Sequence, residues 1–188
     1  MNKLILKLTD NFIYIYNCNK DNLIEEQIPK NIIKNSKIID IEKFIEELNN
    51  IIKKNKLNNI LIKNKVNILI PSYYNNTDKF LLDYTFKILN YYNYEFIKES
   101  DVYNYLLDSD NIVINLWEKQ GEISYREKDK VITSYFNIND NIKKDVENII
   151  VINNVNCNKI NIQNKNIIYL EPNKHFMIYK LKEKFMSN

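Results

Sequence analysis

Glycine is almost missing from this chain. Gly121 is the only one in 188 residues, beside three prolines, two cysteines, one histidine, one arginine and no alanine. Phosphate-cradling loops need glycine, because only glycine lets the backbone turn tightly and approach a ligand closely. A single glycine therefore excludes both the dinucleotide-binding and the P-loop fingerprints. The lone histidine, His175, excludes a histidine-based metal site, and it stands at the start of a helical pattern with no catalytic partner near it in sequence. Cys18 and Cys157 lie far apart and lack metal-ligand spacing. They read as free thiols of a reducing cytoplasm. No apolar run nears the ~18 residues of a membrane-spanning helix. Met1 to Asp10 has no charged, apolar and small-residue sequence of a signal peptide, so none is expected. The net charge of +3 is too small to demand a nucleic-acid or anionic-membrane partner.

What fills the space is asparagine (34), isoleucine (33) and lysine (26), together about half the chain. All three have AT-rich codons, and the scarce residues have GC-rich ones, so coding bias explains most of the skew. With 45% hydrophobic and 27% charged residues, the composition is that of a globular protein.

Lys3 to Thr9, Phe12 to Tyr16 and Leu23 to Ile28 are β-branched or aromatic runs split by short polar turns. They predict a three-stranded meander. Asp40 is a good helix cap, followed by Ile41, Phe44, Ile45, Leu48, Ile51 and Ile52 at helical spacing. Val66 to Ile70 is nearly all apolar and predicts a strand covered on both faces. Thr77 is the expected cap of a second helix, with Phe80, Leu81, Tyr84, Ile88 and Leu89 on one side. Tyr94 to Lys98 predicts a strand, and a short helix from Ser100 through Leu107 follows.

The second half opens the same way. Asn111 to Leu116, Glu122 to Arg126 and Val131 to Ile138 predict another meander, with Gly121 in its first turn. A short helix over Asn139 to Glu147, a strand over Asn148 to Ile152, and strands at Ile160 to Ile162 and Ile167 to Leu170 come next. A last helix carries Phe176, Ile178, Leu181 and Phe185. The pattern repeats, and internal repetition outweighs any single assignment. The expected fold class is α/β, with duplicated units at 1–107 and 108–188. Each unit is a meander extended by parallel strands with flanking helices.

This order resembles the actin-like ATPase fold, a duplicated ribonuclease-H-like unit. Ile38-Ile39-Asp40, then a helix, then Val66-Asn67-Ile68-Leu69-Ile70-Pro71-Ser72, is similar to the segment of bacterial rod-shape actin homologues in which a strand ends in Val-Pro-Ser. Those proteins continue with a helix, a short strand and an acidic residue before another helix. Here these are Thr77 to Tyr92, Tyr94 to Ile97 and Glu99. Asn166 to Pro172 and the helix beyond resemble the family's last strand and helix.

The resemblance also implies motifs that this chain lacks. The first strand of the family ends in Asp-x-Gly, and the matching positions here are Lys7 and Thr9. The second meander carries Asp-x-Gly-Gly-Gly-Thr, matched by Asn115-Leu116-Trp117-Glu118. The adenosine-binding Gly-Gly is matched by Asn153-Asn154. A bulky residue blocks the backbone approach to phosphate, and loss of the carboxylate removes a metal ligand. The expectation is therefore no cofactor, no metal, no catalytic residue and no enzyme. It is instead a cytoplasmic scaffold or adaptor, with peripheral attachment to a membrane-bound assembly left open, that binds another protein or itself.

The alternative is a nucleic-acid-binding ribonuclease-H-like module or remnant nuclease. Such a nuclease needs carboxylates converging at strand ends to hold Mg²⁺. Asp10 stands past the first strand, but Asn115 takes the second place. The pairs Asp78/Asp83, Glu25-Glu26 and Glu46-Glu47 read as solvated faces. Tyr73, Tyr74, Tyr91, Tyr92, Tyr94 and Trp117 are candidate interface residues, because large amphipathic rings anchor binding surfaces. Aromatics mixed with lysine also suit single-stranded nucleic acid. The blander reading, semi-buried tyrosines, competes with both.

Overall fold

The computed structural model describes residues 3–18, 20–58, 61, 64–103, 111–117, 120–128, 130–137, 148–153 and 166–170. The expected helix at Asn139 to Glu147, the strand at Ile160 to Ile162, the last helix, Asn154, Cys157 and His175 lie outside them. The chain divides into two compact units, Met1–Lys98 and Glu99–Asn188. The division falls earlier than the expected boundary at 107/108. Glu99, the first residue of the second unit, bonds Asn115 of the same unit through its carboxylate.

In the first unit, β1 (Lys3–Leu8), β2 (Phe12–Asn17) and β3 (Asn22–Gln27) form the meander. A two-residue hairpin follows, β4 (Ile33–Lys34) and β5 (Lys37–Ile38). Then come α1 (Ile41–Lys54), β6 (Lys65–Ile70), α2 (Asn76–Ile88) and β7 (Tyr94–Lys98). The sheet order is β3-β2-β1-β6-β7. The β1–β6 and β6–β7 pairs are parallel, and the meander is antiparallel.

One face of this sheet carries Leu4, Leu6, Leu8, Ile13, Ile15, Val66, Ile68 and Ile70. It packs with Phe44, Leu48, Ile51 and Ile52 of α1 and with Leu82 and Phe86 of α2. On the other face Ile5, Lys7, Tyr14, Tyr16, Asn67 and Leu69 are buried as well. Burial on both faces accounts for the continuous apolar run of β6.

Asp40 caps α1 as expected, its carboxylate accepting from the Lys43 N–H at 3.2 Å. The cap of α2 is Asn75, not Thr77. Asn75 accepts from the Asp78 N–H at 2.9 Å while Asp78 accepts from the Asn75 N–H at 3.0 Å, a reciprocal capping box. The orientation of α2 also differs from expectation. Leu82, Thr85 and Phe86 are buried, whereas Phe80, Tyr84 and Ile88 face solvent.

In the second unit, α3 (Glu99–Tyr103) precedes β8 (Asn111–Leu116), β9 (Gln120–Glu127) and β10 (Lys130–Asn137). β11 (Asn148–Asn153) and β12 (Asn166–Leu170) complete a sheet of order β10-β9-β8-β11-β12. The two sheets share one topology, an antiparallel meander extended by two parallel strands. Ile112, Ile114, Leu116, Ile123, Ile149 and Val151 form the described core of the second.

Gly121 lies inside β9, opposite Leu116 and Phe136, and not in a turn. A Cβ at this position would stand 2.4 Å from the Phe136 ring and 3.1 Å from the Asn115 carbonyl oxygen. The glycine is there for space.

Candidate functional site

The first unit presents its expected site positions at the end of β1. Lys7 is 2% exposed and lies by register between Tyr14 of β2 and Leu69 of β6. Thr9 closes the β1–β2 turn on itself. Its hydroxyl donates to the Phe12 carbonyl and accepts from the Phe12 N–H, both at 3.1 Å, and its own N–H donates to Phe12 O at 2.9 Å. Serine and threonine favour such local turns because the hydroxyl can serve nearby backbone groups. Two N–H groups at the expected phosphate turn are thereby consumed. Asp10 accepts from the Ser36 N–H at 2.8 Å, which ties it to the β4–β5 hairpin. Burial and the charge of Glu25 push the Tyr14 hydroxyl well above its ordinary pKa, against a hydrogen bond with Thr9.

The second unit brings together residues that are distant in sequence. Glu99 opens α3 directly after β7, Asn115 is near the end of β8, and Glu122 faces Asn115 across the β8–β9 pair. All three are at most 1% exposed. The Asn115 Nδ2 donates to Glu99 Oε2 at 2.6 Å and, at the 3.5 Å limit, to Glu122 Oε1. One amide thus stands between two buried carboxylates. Burying carboxylates without donors is costly, so this amide is structurally expensive to lose. Tyr135 lies opposite Glu122 by register, and its pKa is raised by burial and then by that carboxylate. On the same strand pair the Ser124 and Thr133 hydroxyls meet at 3.0 Å.

An amide donor points its positive end at carboxylates and brings no negative charge to a metal ion. Among the described residues no group of three or more His, Cys, Asp or Glu converges on one point. Trp117, where the resemblance implies glycine, is 1% exposed and is the bulkiest of the fully buried side chains described. Asn153 closes β11, paired with Leu116.

The candidate interface residues divide. Tyr74 and Tyr91 are buried along with Trp117, because each tyrosine hydroxyl has an internal partner. Tyr74 donates to the Ser36 carbonyl, and Tyr91 to Asn58 Oδ1 at 2.8 Å. Tyr73 donates to the Asn35 carbonyl, under Lys37 with its Nζ 5.1 Å from the ring centroid. Half-buried Tyr94 donates to Asp83, which also binds Lys87 at 2.6 Å. Of the six, only Tyr92 is well exposed, at 70%.

Of the acidic pairs, Asp78, Asp83 and Glu26 serve structure. Asp78 caps α2 and binds Lys37 at 2.8 Å. Glu26 binds Lys54 and Asn55, each at 2.8 Å. Sequence reasoning named Glu99 only as a point of resemblance and missed Glu122, whose role needs the β8–β9 register.

No family model and no curated protein sequence matches the chain. Solved structures do. MreB5 of Spiroplasma citri bound to AMPPNP is similar at a TM-score of 0.54 and 12% identity, over 73% of this chain and 52% of that one. Its ADP-bound form gives 0.54 and 11% over the same shares. An exopolyphosphatase from Cytophaga hutchinsonii gives 0.51 and 10%, over 81% of this chain and 66% of that one. The chain therefore has the actin-like ATPase fold, and it spans about half the length of the MreB5 structures.

Proposed function

We propose that this chain is a non-catalytic, actin-like scaffold or adaptor of the cytoplasm. It works by binding another protein or a second copy, in cell shape, division, or pilus or secretion assembly. The observation that carries the reading is the Asn115 amide, given to Glu99 at 2.6 Å where the fold's nucleotide-binding members are expected to offer a carboxylate to a metal. The self-closed Thr9 turn and the buried Trp117 support it from two other motif positions. The similar structures include nucleotide-bound MreB5 and an exopolyphosphatase. The fold alone therefore does not separate binder from enzyme, and the argument rests on the site.

The test is a titration of the full chain with fluorescently labelled ATP and Mg²⁺. The expected result is no saturable binding. Specific micromolar affinity, abolished by unlabelled ATP, overturns the proposal. Against the nucleic-acid alternative stands the burial of Tyr74 and Tyr91, whose rings are not open for bases to stack on.

A further inference from the structure

Helix α2 carries two parallel rows of side chains. Phe80, Tyr84 and Ile88, at steps of four, are 61%, 44% and 50% exposed. The Phe80 and Tyr84 rings stack at 6.3 Å, so the row is an ordered surface. Tyr92, at 70% exposure, follows beyond the helix end. One position earlier in each turn runs a second row, Lys79, Asp83 and Lys87. Residues four apart are neighbours on a helix face, so the apolar row has a charged row along one edge.

Asp83 is already satisfied by Lys87 at 2.6 Å and by the Tyr94 hydroxyl, whereas Lys79 has no acidic partner among the described residues. The edge is left net positive. Exposed apolar residues in a row mark a contact surface more often than scattered ones do.

We infer that this face of α2 docks an amphipathic helix of a partner protein, one whose apolar row is edged by carboxylates. A second copy of this chain is the poorer occupant. If two α2 helices packed antiparallel about a two-fold axis, like edges would meet. Lys79 would then face Lys87 of the other copy, and Asp83 would face Asp83. The row exposes on the order of 300 Å². Either occupant would bury about twice that, the size of a transient contact, so the charged edge and not the area chooses between them. A partner with carboxylates on that edge gains where a copy is repelled. Helix-in-groove recognition reads such steps of three and four as anchors.

The inference rests on the adaptor reading, and its test is separate from the ATP titration. The probes are two labelled amphipathic helical peptides with the same leucine row, one edged by glutamate and the other by lysine. Anisotropy with the full chain should show saturable, salt-weakened binding of the glutamate peptide alone. Phe80→Ser with Tyr84→Ser should weaken it about tenfold or more while leaving the thermal melt unchanged. Lys79→Glu should reduce the preference between the peptides. Equal binding of both peptides, no binding of either, or binding unchanged by the serine pair overturns the inference. So does concentration-dependent dimerisation in sedimentation that Phe80→Ser abolishes, which would give the face to a second copy. ATP binding with intact peptide docking would sink the non-catalytic reading and leave the docking face standing.

Discussion

Each sheet buries an asparagine on an interior strand, and the two are treated in opposite ways. Asn67, in β6, is 1% exposed, and neither atom of its amide has a hydrogen-bond partner among the described residues. Asn115, in β8, is fully buried and gives its amide to Glu99 and Glu122. Their neighbours differ: β6 lies between two parallel strands, whereas β8 has antiparallel β9 on one side and parallel β11 on the other. The difference teaches that burial of a polar residue is uninformative until its partners are counted. In the first sheet the amide is a liability. In the second it holds two carboxylates inside a core.

The largest way to break that contrast is the same substitution in both places. Asn115→Leu removes one amide donor shared by two buried carboxylates and should cost about 3 kcal/mol in a denaturant melt. If this variant melts with the wild type, the cluster has no structural role. Gly121→Ala comes next, at about 1–3 kcal/mol, because the new Cβ must push the Phe136 ring from 2.4 Å. An unchanged melting temperature would mean that the β9–β10 packing gives way freely. Asn67→Leu should act in the opposite sense and stabilise by about 1 kcal/mol, since an unsatisfied amide leaves the interior. A destabilised variant would reveal a ligand or partner for Asn67.

The smallest effect is alkaline. Burial, followed by the Glu25 charge for Tyr14 and the Asp83 hydrogen bond for Tyr94, raises both pKa values above the ordinary 10.0. Tyr91 is raised by burial alone. The fold favours the neutral phenol, so this contribution is full below the unfolded pKa and is lost as pH climbs above it. Phenolate absorbance should therefore show a late-ionising group of tyrosines that titrates as the fold opens. Uniform ionisation near pH 10 in the folded protein would refute it.

The strands and α1 were legible because local chemistry and tertiary environment agree there. β-Branched runs make strands, and the Phe44, Leu48, Ile51 and Ile52 stripe is the one that packs. The α2 helix was legible, but its facing was not. Apolar residues occur on two sides of it, and periodicity reports a stripe without saying which stripe meets the sheet. The β4–β5 hairpin was missed because it is held from afar, by the Tyr73 and Tyr74 hydroxyls and by Asp10. At the site, the family resemblance pointed to Lys7, Thr9, Asn115 and Trp117. It could not show that Thr9 satisfies its own turn or that Glu122 joins Glu99, because both depend on geometry across the meander.

The described turns contain seven residues in the left-handed region, and none is glycine: Asp21, Asn31, Asn35, Ser36, Lys56, Asn90 and Lys128. Placing a side-chain-bearing residue there strains the native chain by roughly 1 kcal/mol, and less for asparagine and aspartate. The same side chain restricts the unfolded chain, which returns roughly 0.4–1 kcal/mol. At an ordinary turn the two nearly cancel, so a coding bias can strip glycine from such places at little cost to stability. No such cancellation exists where a backbone must come within touching distance of a neighbour, as at Gly121. A glycine kept for crowding, and not for its backbone angles, marks where the fold has no room for a side chain.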